Sequence, residues 1–335
     1  MSAFRNFAVT LLLSLVIFGL IAFGAVKFAT KAIKNSADGQ NVRPSDESQE
    51  ADTDDDTGGT VNPEPITVSG KSFTILFAVT DYRPDVYTDY EVQPTDLRED
   101  GFPVEPRKVH TDIILLVRMQ KELGECVVCA IPSNIKITID GLPAKLRDLY
   151  AAKGADELRN KVMSLTGLAV DYYAVADYDG YKKVIDKFGP VSFSVSKDVS
   201  FRDDATGGDF LLRKGTQKLD GTNAMNLLTY DGYGDGGVQM RKYNVNFLKE
   251  ICKIAITADN KPNAHVLYNT FISDVKTNFT IEKLDEQMEL VFSFPKMAFT
   301  EYKYPGSVSG SGDSEYFVPS TEKVKEFFDA YKFKG

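Results

Sequence analysis

Three residues early in the folded part of the chain could do chemistry by their type and spacing: Asp81, Arg83 and Asp112. Asp81 and Arg83 follow directly on an apolar run, FTILFAV (Phe73–Val79), and Asp112 stands near the start of a second, HTDIILLVRM. If the two runs are neighbouring strands, two carboxylates share one end of a sheet. Carboxylate oxygens suit a hard divalent cation, and a guanidinium beside them suits a phosphate. The space beyond the carboxyl end of a strand is also where open α/β sheets place their ligands. Charges gather at strand ends for solubility as well, so a site and a solvated rim both remain open on these residues alone.

Other chemistries find little support. The chain has no G-x-x-x-x-G-K, no G-x-S-x-G and no H-E-x-x-H. Its only histidines are His110 and His265, too few for a His-rich metal site, and a structural role is expected for both. CVVC imitates a redox C-x-x-C, but it lies in the strand-like run GECVVCAIP. Cys126 and Cys129 then point to opposite faces, and no helix N-terminus follows to activate a thiol. Buried structural thiols are expected. Cys252 makes the count three, which gives no evidence of disulfides.

The elements that must position the acidic pair come next. The stretch Leu168–Val195 reads as β-α-β: a strand at Tyr172–Ala176, then Tyr181, Val184, Ile185 and Phe188 at helical spacing. Gly189 suits the helix C-cap, Pro190 stops the helix, and Val191, Phe193 and Val195 alternate with serines. Such a crossover normally joins parallel strands of one sheet. Further strands are expected at ECVVCAIP, NIKITID and about Met297–Tyr304, and helices from Pro143, at Ala155–Leu165, after Asp220, at Val238–Ala258, Ala264–Val275, Ile281–Val291 and from Ser320. Val86–Lys108 reads as a polar, proline-bearing loop, and Phe201–Leu219 as an irregular loop with a short strand pair. The fold class is α/β, a layered mixed β-sheet flanked by helices.

Before that domain the composition changes twice. Phe7–Val26 carries no charge. Twenty residues at ~1.5 Å each match the ~30 Å core of a bilayer, so a transmembrane signal anchor is expected at 7–29 rather than a cleaved signal peptide, behind a short tail at 1–6. Residues 30–71 form an acidic linker in which Ala37–Val68 holds nine Asp or Glu against one Arg, too polar to fold. The globular domain is 72–335. The net charge of −9 divides as +4 before Ala37, −8 in Ala37–Val68 and about −5 beyond it. With no basic patch, nucleic acid is not a partner. Lys27, Lys31 and Lys34 follow the span while only Arg5 precedes it, which taken literally puts the body in the cytoplasm.

The order TDYR after a strand, HTDIILLV, a strand ending in IP, LTGLAVDYYAVADYDGYKKVIDKFGPV and FRDDATGGDFLLRKGTQKLDGTNAM resembles the LytR-CpsA-Psr (LCP) cell-envelope proteins. The resemblance covers about Phe73 to Tyr331 and extends to the tail VLYNTFISDVKTNFTIEKLDEQMEL. It implies a membrane-anchored protein with its domain outside a Gram-positive cell, against the lysine count, and we adopt that orientation. It also implies transfer of a glycopolymer from a polyprenyl-pyrophosphate carrier to peptidoglycan with Mg²⁺, and a lipid pocket between sheet and helices. By the same resemblance Asp81 and Asp112 are metal ligands, and Arg83 and Arg241 are catalytic, with Arg83 also on the pyrophosphate.

Three departures matter. The family's I-P-R-D is Ile131-Pro132-Ser133-Asn134 here, its R-x-R is Thr229-Tyr230-Asp231, and of its R-x-x-R-Q only Arg241 remains. Each missing arginine removes a charge-assisted phosphate contact of roughly 1.5–3 kcal/mol. Lys136, Arg147, Arg202 and Lys242 are the cations that would replace them as substrate-binding residues. Two functions stay open: a divergent phosphotransferase, and a non-catalytic envelope binding or regulatory module that keeps the fold.

Overall fold

A continuous apolar run such as FTILFAVT stays dry on both faces only as an inner strand covered from both sides. That is its place in the computed structural model, which describes residues 72–82, 109–203 and 208–330. Among these no helix is long and apolar enough to cross a membrane. The expected anchor, the acidic linker, the loop Val86–Lys108 and Arg83 lie outside the described residues.

In chain order, β1 (Phe73–Thr80), β2 (Thr111–Gln120) and β3 (Glu125–Ala130) form an antiparallel meander. A hairpin of β4 (Lys136–Ile139) and β5 (Leu142–Lys145) leads to helices α1 (Leu149–Lys153) and α2 (Ala155–Thr166). Then come β6 (Tyr172–Asp177), α3 (Tyr178–Phe188), β7 (Val191–Val195), the hairpin β8 (Val199–Asp203) with β9 (Gly208–Leu212), β10 (Gly215–Leu219), α4 (Gly221–Thr229) and the long α5 (Val238–Ala255). The chain closes with α6 (Ala264–Phe271), β11 (Val275–Thr277), α7 (Ile281–Phe292), β12 (Ala298–Lys303), the hairpin β13 (Gly306–Ser309) with β14 (Tyr316–Pro319), and α8 (Thr321–Ala330). The main sheet has the order β11-β6-β1-β2-β3-β12 and mixes parallel and antiparallel pairs.

Strand periodicity divides the core between the two faces. Phe73, Ile75 and Val79 of β1 join Ile185 of α3, Met225 of α4 and Phe247 of α5 in one cluster. Leu76 and Ala78 join Leu149 of α1, Leu158 of α2 and Phe328 of α8 in the other. Helices α3 and α4 start where a side chain accepts from an orphan N–H: Asp177 Oδ1 accepts from Gly180 N at 2.7 Å, and Asp220 Oδ1 from Asn223 N at 2.8 Å. Gly167, at φ 67°, ends α2 in the left-handed conformation.

Two expectations are corrected. The β6-α3-β7 segment is not a parallel crossover within one sheet. β6 is already flanked by β1 and β11, so β7 leaves the main sheet and pairs antiparallel with β10. Nor does a helix begin at Pro143, which lies in β5 opposite Thr138. Asp140 (φ 51°) and Gly141 (φ 84°) both take left-handed conformations, giving the turn whose twist suits a two-residue hairpin loop. Proline's missing N–H is tolerated in a hairpin of only two strands.

Because Leu76 is wholly buried in the central strand, Leu76→Ala should destabilise the domain by about 3–5 kcal/mol in urea unfolding. A loss below about 1 kcal/mol would contradict its place in a packed core.

Candidate functional site

The site begins with an irregularity in the β1–β2 ladder. Val79 pairs with Ile113 and Thr80 with Thr111, so Asp112 is the extra residue of a bulge. A bulge bends the strand and re-aims the side chain it carries. One step on, the two strands close on each other: Asp81 N donates to His110 O at 2.9 Å, and His110 N donates to Asp81 Oδ1 at 2.7 Å. This reciprocal pair fixes Asp81 just past the end of β1, beside Asp112.

A run of polar side chains extends from there. His110 Nδ1 is 4.0 Å from Asp81 Oδ2, and its Nε2 is 3.6 Å from Asp148 Oδ1. The same Asp148 oxygen is 3.8 Å from Arg147 Nε, while Asp148 Oδ2 accepts from Lys145 N at 2.7 Å. Asp148 and Arg147 stand immediately before α1, and backbone bonds hold that segment: Leu146 N to Ile135 O and Arg147 N to Ser133 O, both 2.8 Å. The Ile131–Asn134 loop is thereby tied to the acidic cluster. Its other side is tied to β14 by Phe317 N donating to Asn134 O at 3.0 Å and by Asn134 Nδ2 donating to Glu315 Oε1 at 3.4 Å.

Burial dominates the electrostatics of Asp112. It pushes the carboxyl up to about 7, and the Asp81 carboxylate pushes the same way; His110 and Arg147 oppose, and Asp231 adds to the rise. Asp81 and Asp112 are the residues that could hold one hard cation, which would favour the ionised form of Asp112. Among the described residues no group of three His, Cys, Asp or Glu is arranged to hold a metal.

The expected cations are distributed unevenly. Arg147 belongs to the cluster. Arg241 is half-buried on α5, but its Nη1 donates to Gly236 O at 3.0 Å and its guanidinium lies 5.5 Å from the centre of the Phe317 ring. Burial lowers its pKa, and Asp235, Cys129 and Glu315 lie near enough to oppose that. Lys136 is exposed on β4, with its ammonium 5.3 Å from the Tyr316 ring centre. Arg202, opposite Asp209 in the β8–β9 hairpin, and Lys242 on α5 are exposed, and none of the contacts described ties them to Asp81 or Asp112. Reading the sequence missed the parts played by His110, Asp148 and Asp231. Only the closeness of His110 to Asp112 along the chain pointed to any of them.

On one face of the main sheet, under α3, α5, α6 and α7, lies an apolar cavity of about 360 Å³. Phe73, Ile75 and Phe77 of β1 form its floor, and Phe188, Phe271 and Leu284 are among the helix residues around it. Cys126 and Cys252 also line it, and burial raises both thiol pKa values, which keeps them protonated. Cys129 packs in the core of the opposite face, so the CVVC thiols do diverge. Asp81 lies four residues beyond Phe77, about 13 Å at strand rise. Val79 and Ile113 fill the space between as buried core.

The LytR_cpsA_psr family profile matches residues 28–332. The Bacillus subtilis (strain 168) polyisoprenyl-teichoic acid–peptidoglycan teichoic acid transferase TagV is 21% identical over 240 residues, 68% of this chain and 61% of that protein. The chain thus spans less than two thirds of the TagV relative. The Staphylococcus aureus regulatory protein MsrR is 29% identical over 140 residues, 40% of this chain and 41% of its own. Among solved structures, B. subtilis TagV superposes with a TM-score of 0.60 at 19% identity, covering 78% of this chain and 98% of that one. TagT bound to LI-WTA gives 0.57 at 17% identity, covering 78% and 89%. These superpositions establish a shared fold.

The raised carboxyl predicts a pH effect on stability. A carboxyl whose folded pKa lies above its unfolded value stabilises the fold below about pH 4, and that contribution is lost as pH rises through about 7. With chelator present, Asp112→Asn should therefore unfold at higher urea than the parent at pH 8, with the gap shrinking towards pH 4. A gap of the same size at both pH values would contradict the burial of this charge.

Proposed function

The chain belongs to the LytR-CpsA-Psr family, and from that premise we propose that it is an extracytoplasmic, membrane-anchored phosphotransferase. It moves a polyprenyl-pyrophosphate-linked glycopolymer onto peptidoglycan. The observation that carries this reading is the apolar cavity, walled by sheet and helices on the face of the strand that ends at Asp81. A long hydrocarbon chain needs such an apolar pocket, and the charged cluster stands farther along the same face of β1, past Val79.

In this reading the prenyl tail fills the cavity and the pyrophosphate lies over the ends of β1 and β2. Asp81 and Asp112 would hold Mg²⁺, which when bound supplies Lewis-acid stabilisation of the phosphate charge. His110, braced between Asp81 and Asp148, keeps the Asp81 carboxylate in place. Arg147 stands where its charge reaches the cluster, beside the Ser133 that replaces the family's arginine. It takes over part of the pyrophosphate contact, together with Arg83. The acceptor hydroxyl oxygen bonds to the glycan-bearing phosphorus as the bond to the bridging oxygen breaks. Polyprenyl phosphate leaves, and the hydroxyl proton passes to the carboxylate cluster.

One observation favours the second reading, a binding or regulatory module without turnover. Arg241, matched to a catalytic arginine, is spent on Gly236 O and the Phe317 ring. Release of polyprenyl phosphate from a lipid-linked pyrophosphate glycan separates the two. The transferase reading expects Mg²⁺-dependent turnover that falls by about 10²–10³-fold in Asp81→Ala and Asp112→Ala, with the variants still folded by circular dichroism. Background turnover in parent and variants alike, where another family member is active, would overturn it.

A further inference from the structure

Helix α6 covers the apolar cavity and yet hides little of itself. Only Ala264 is fully buried in it. Leu267, Tyr268 and Phe271 line the cavity while staying half-buried, and Ile272, which follows the helix and also lines the cavity, is 37% exposed. Val266, which does not line the cavity, is 64% exposed. A surface helix normally turns polar residues outward, but α6 is apolar towards the cavity and carries an open valine outside. Ile254, next in the chain to the cavity-lining Ala255, is exposed as well. Few charges interrupt this patch. From Ile254 to Ser273 the ionisable side chains are Asp259, Lys261, His265 and Tyr268, and Lys261 pairs with Glu289 and His265 with Asp285. The attraction such a surface offers is hydrophobic rather than electrostatic.

Two observations point to what covers it. At about 30 Å³ for a water-sized group, a cavity of about 360 Å³ takes on the order of a dozen methylene-sized groups. A long prenyl chain is larger, so the part that emerges needs apolar cover of its own, and α6 is the cavity wall with apolar surface on its outer side. The second observation is where the chain enters the domain. Phe73, the first residue of β1, lines the same cavity and packs on Tyr172 and Phe279 with ring centres 5.6 and 6.0 Å apart. The uncharged run Phe7–Val26 thus joins the domain, through the acidic stretch, at a residue of the cavity wall.

We propose that α6, with Ile254 and Ile272, is a membrane-contact surface that lies in the interfacial region of a bilayer, so that a prenyl chain passes between membrane and cavity without meeting water. The inference rests on the lipid-carrier reading of the cavity and adds the route by which the lipid enters. The full-length protein is reconstituted into phosphatidylcholine vesicles with bimane on Val266→Cys, on Ile272→Cys or, as the control, on Val238→Cys. Val238 is 49% exposed and opens α5, ~25 Å from Ala255 by helix rise. The labelled parent, whose Cys126 and Cys129 are buried and Cys252 half-buried, supplies the background. Nitroxide-bearing phosphatidylcholine should quench the Val266 and Ile272 probes about twofold or more, as for a helix about 5–10 Å deep, and spare the Val238 probe. Val266→Asp, a change at an exposed position, should release the Ile272 probe from quenching. Quenching equal at all three positions, absent at Val266 and Ile272, or gained only with anionic lipid overturns the membrane face. Its absence together with thiol crosslinking between two copies makes α6 a dimer surface instead. Release of polyprenyl phosphate is measured on the same vesicles. Quenching confined to α6 without turnover upholds the membrane face and removes the transferase reading, and turnover without quenching does the reverse.

Discussion

The pairing of β1 with β2 is the constraint on which the rest of the site depends. Seven residues of β1 pair in strict register, and then one residue of β2 is left over. That residue is Asp112. Without the bulge, the ladder's alternation would continue and Asp112 would sit as an ordinary strand residue. With it, Asp112 comes near enough for the Asp81 charge to act on its carboxyl, while the reciprocal bonds between Asp81 and His110 keep the strands from fraying there. The cost appears in the Asp112 carboxyl, whose ionisation burial opposes. Groups whose ionisation is opposed in this way cluster at functional sites.

The sheet then works as a divider. Its central strands β1, β2 and β3 are largely apolar on both faces, so each face needs its own cover: α1, α2 and α8 on one, and α3, α4, α5 and α7 on the other. The second cover leaves room for a greasy ligand beneath α6 and α7. Hydrocarbon goes where water has already been excluded, while polar groups collect at the strand ends, where backbone and carboxylates meet solvent. The Arg241 latch belongs to this division too. By holding the glycine-rich turn through Gly236 O and lying over the Phe317 ring, it ties α5 to the β13–β14 hairpin.

How much of this was legible depends on whether the cause was local. FTILFAV, TDIILLVRM and ECVVCA announce buried strands because unbroken apolar runs leave little choice. Gly167 and Asp220 mark helix ends through local backbone needs. Asp81 and Asp112 were visible as carboxylates at strand ends. The partner of β7 was not, since the pattern of Val191–Val195 fixes which faces are buried and says nothing of which strand lies alongside. The β4–β5 hairpin is legible in Asp140-Gly141, whereas Pro143 taken alone reads as a helix opener. His110, Asp148 and Arg147 become a unit only because β2 and α1 fold side by side, a juxtaposition no spacing along the chain encodes. The reverse holds for Arg241, which matched a motif yet is engaged by its surroundings.

The central claim is that the cavity on the α6–α7 face holds the hydrocarbon of a lipid phosphate. A short polyprenyl phosphate with a photoreactive group at its far end, crosslinked to the protein and mapped by mass spectrometry, tests it most directly. Labelling should concentrate on cavity residues of α6 and α7 such as Leu267, Phe271 and Leu284, and should fall when unlabelled polyprenyl phosphate competes. Labelling confined to exposed apolar residues such as Leu123 and Val318, with none on these helices, would contradict it.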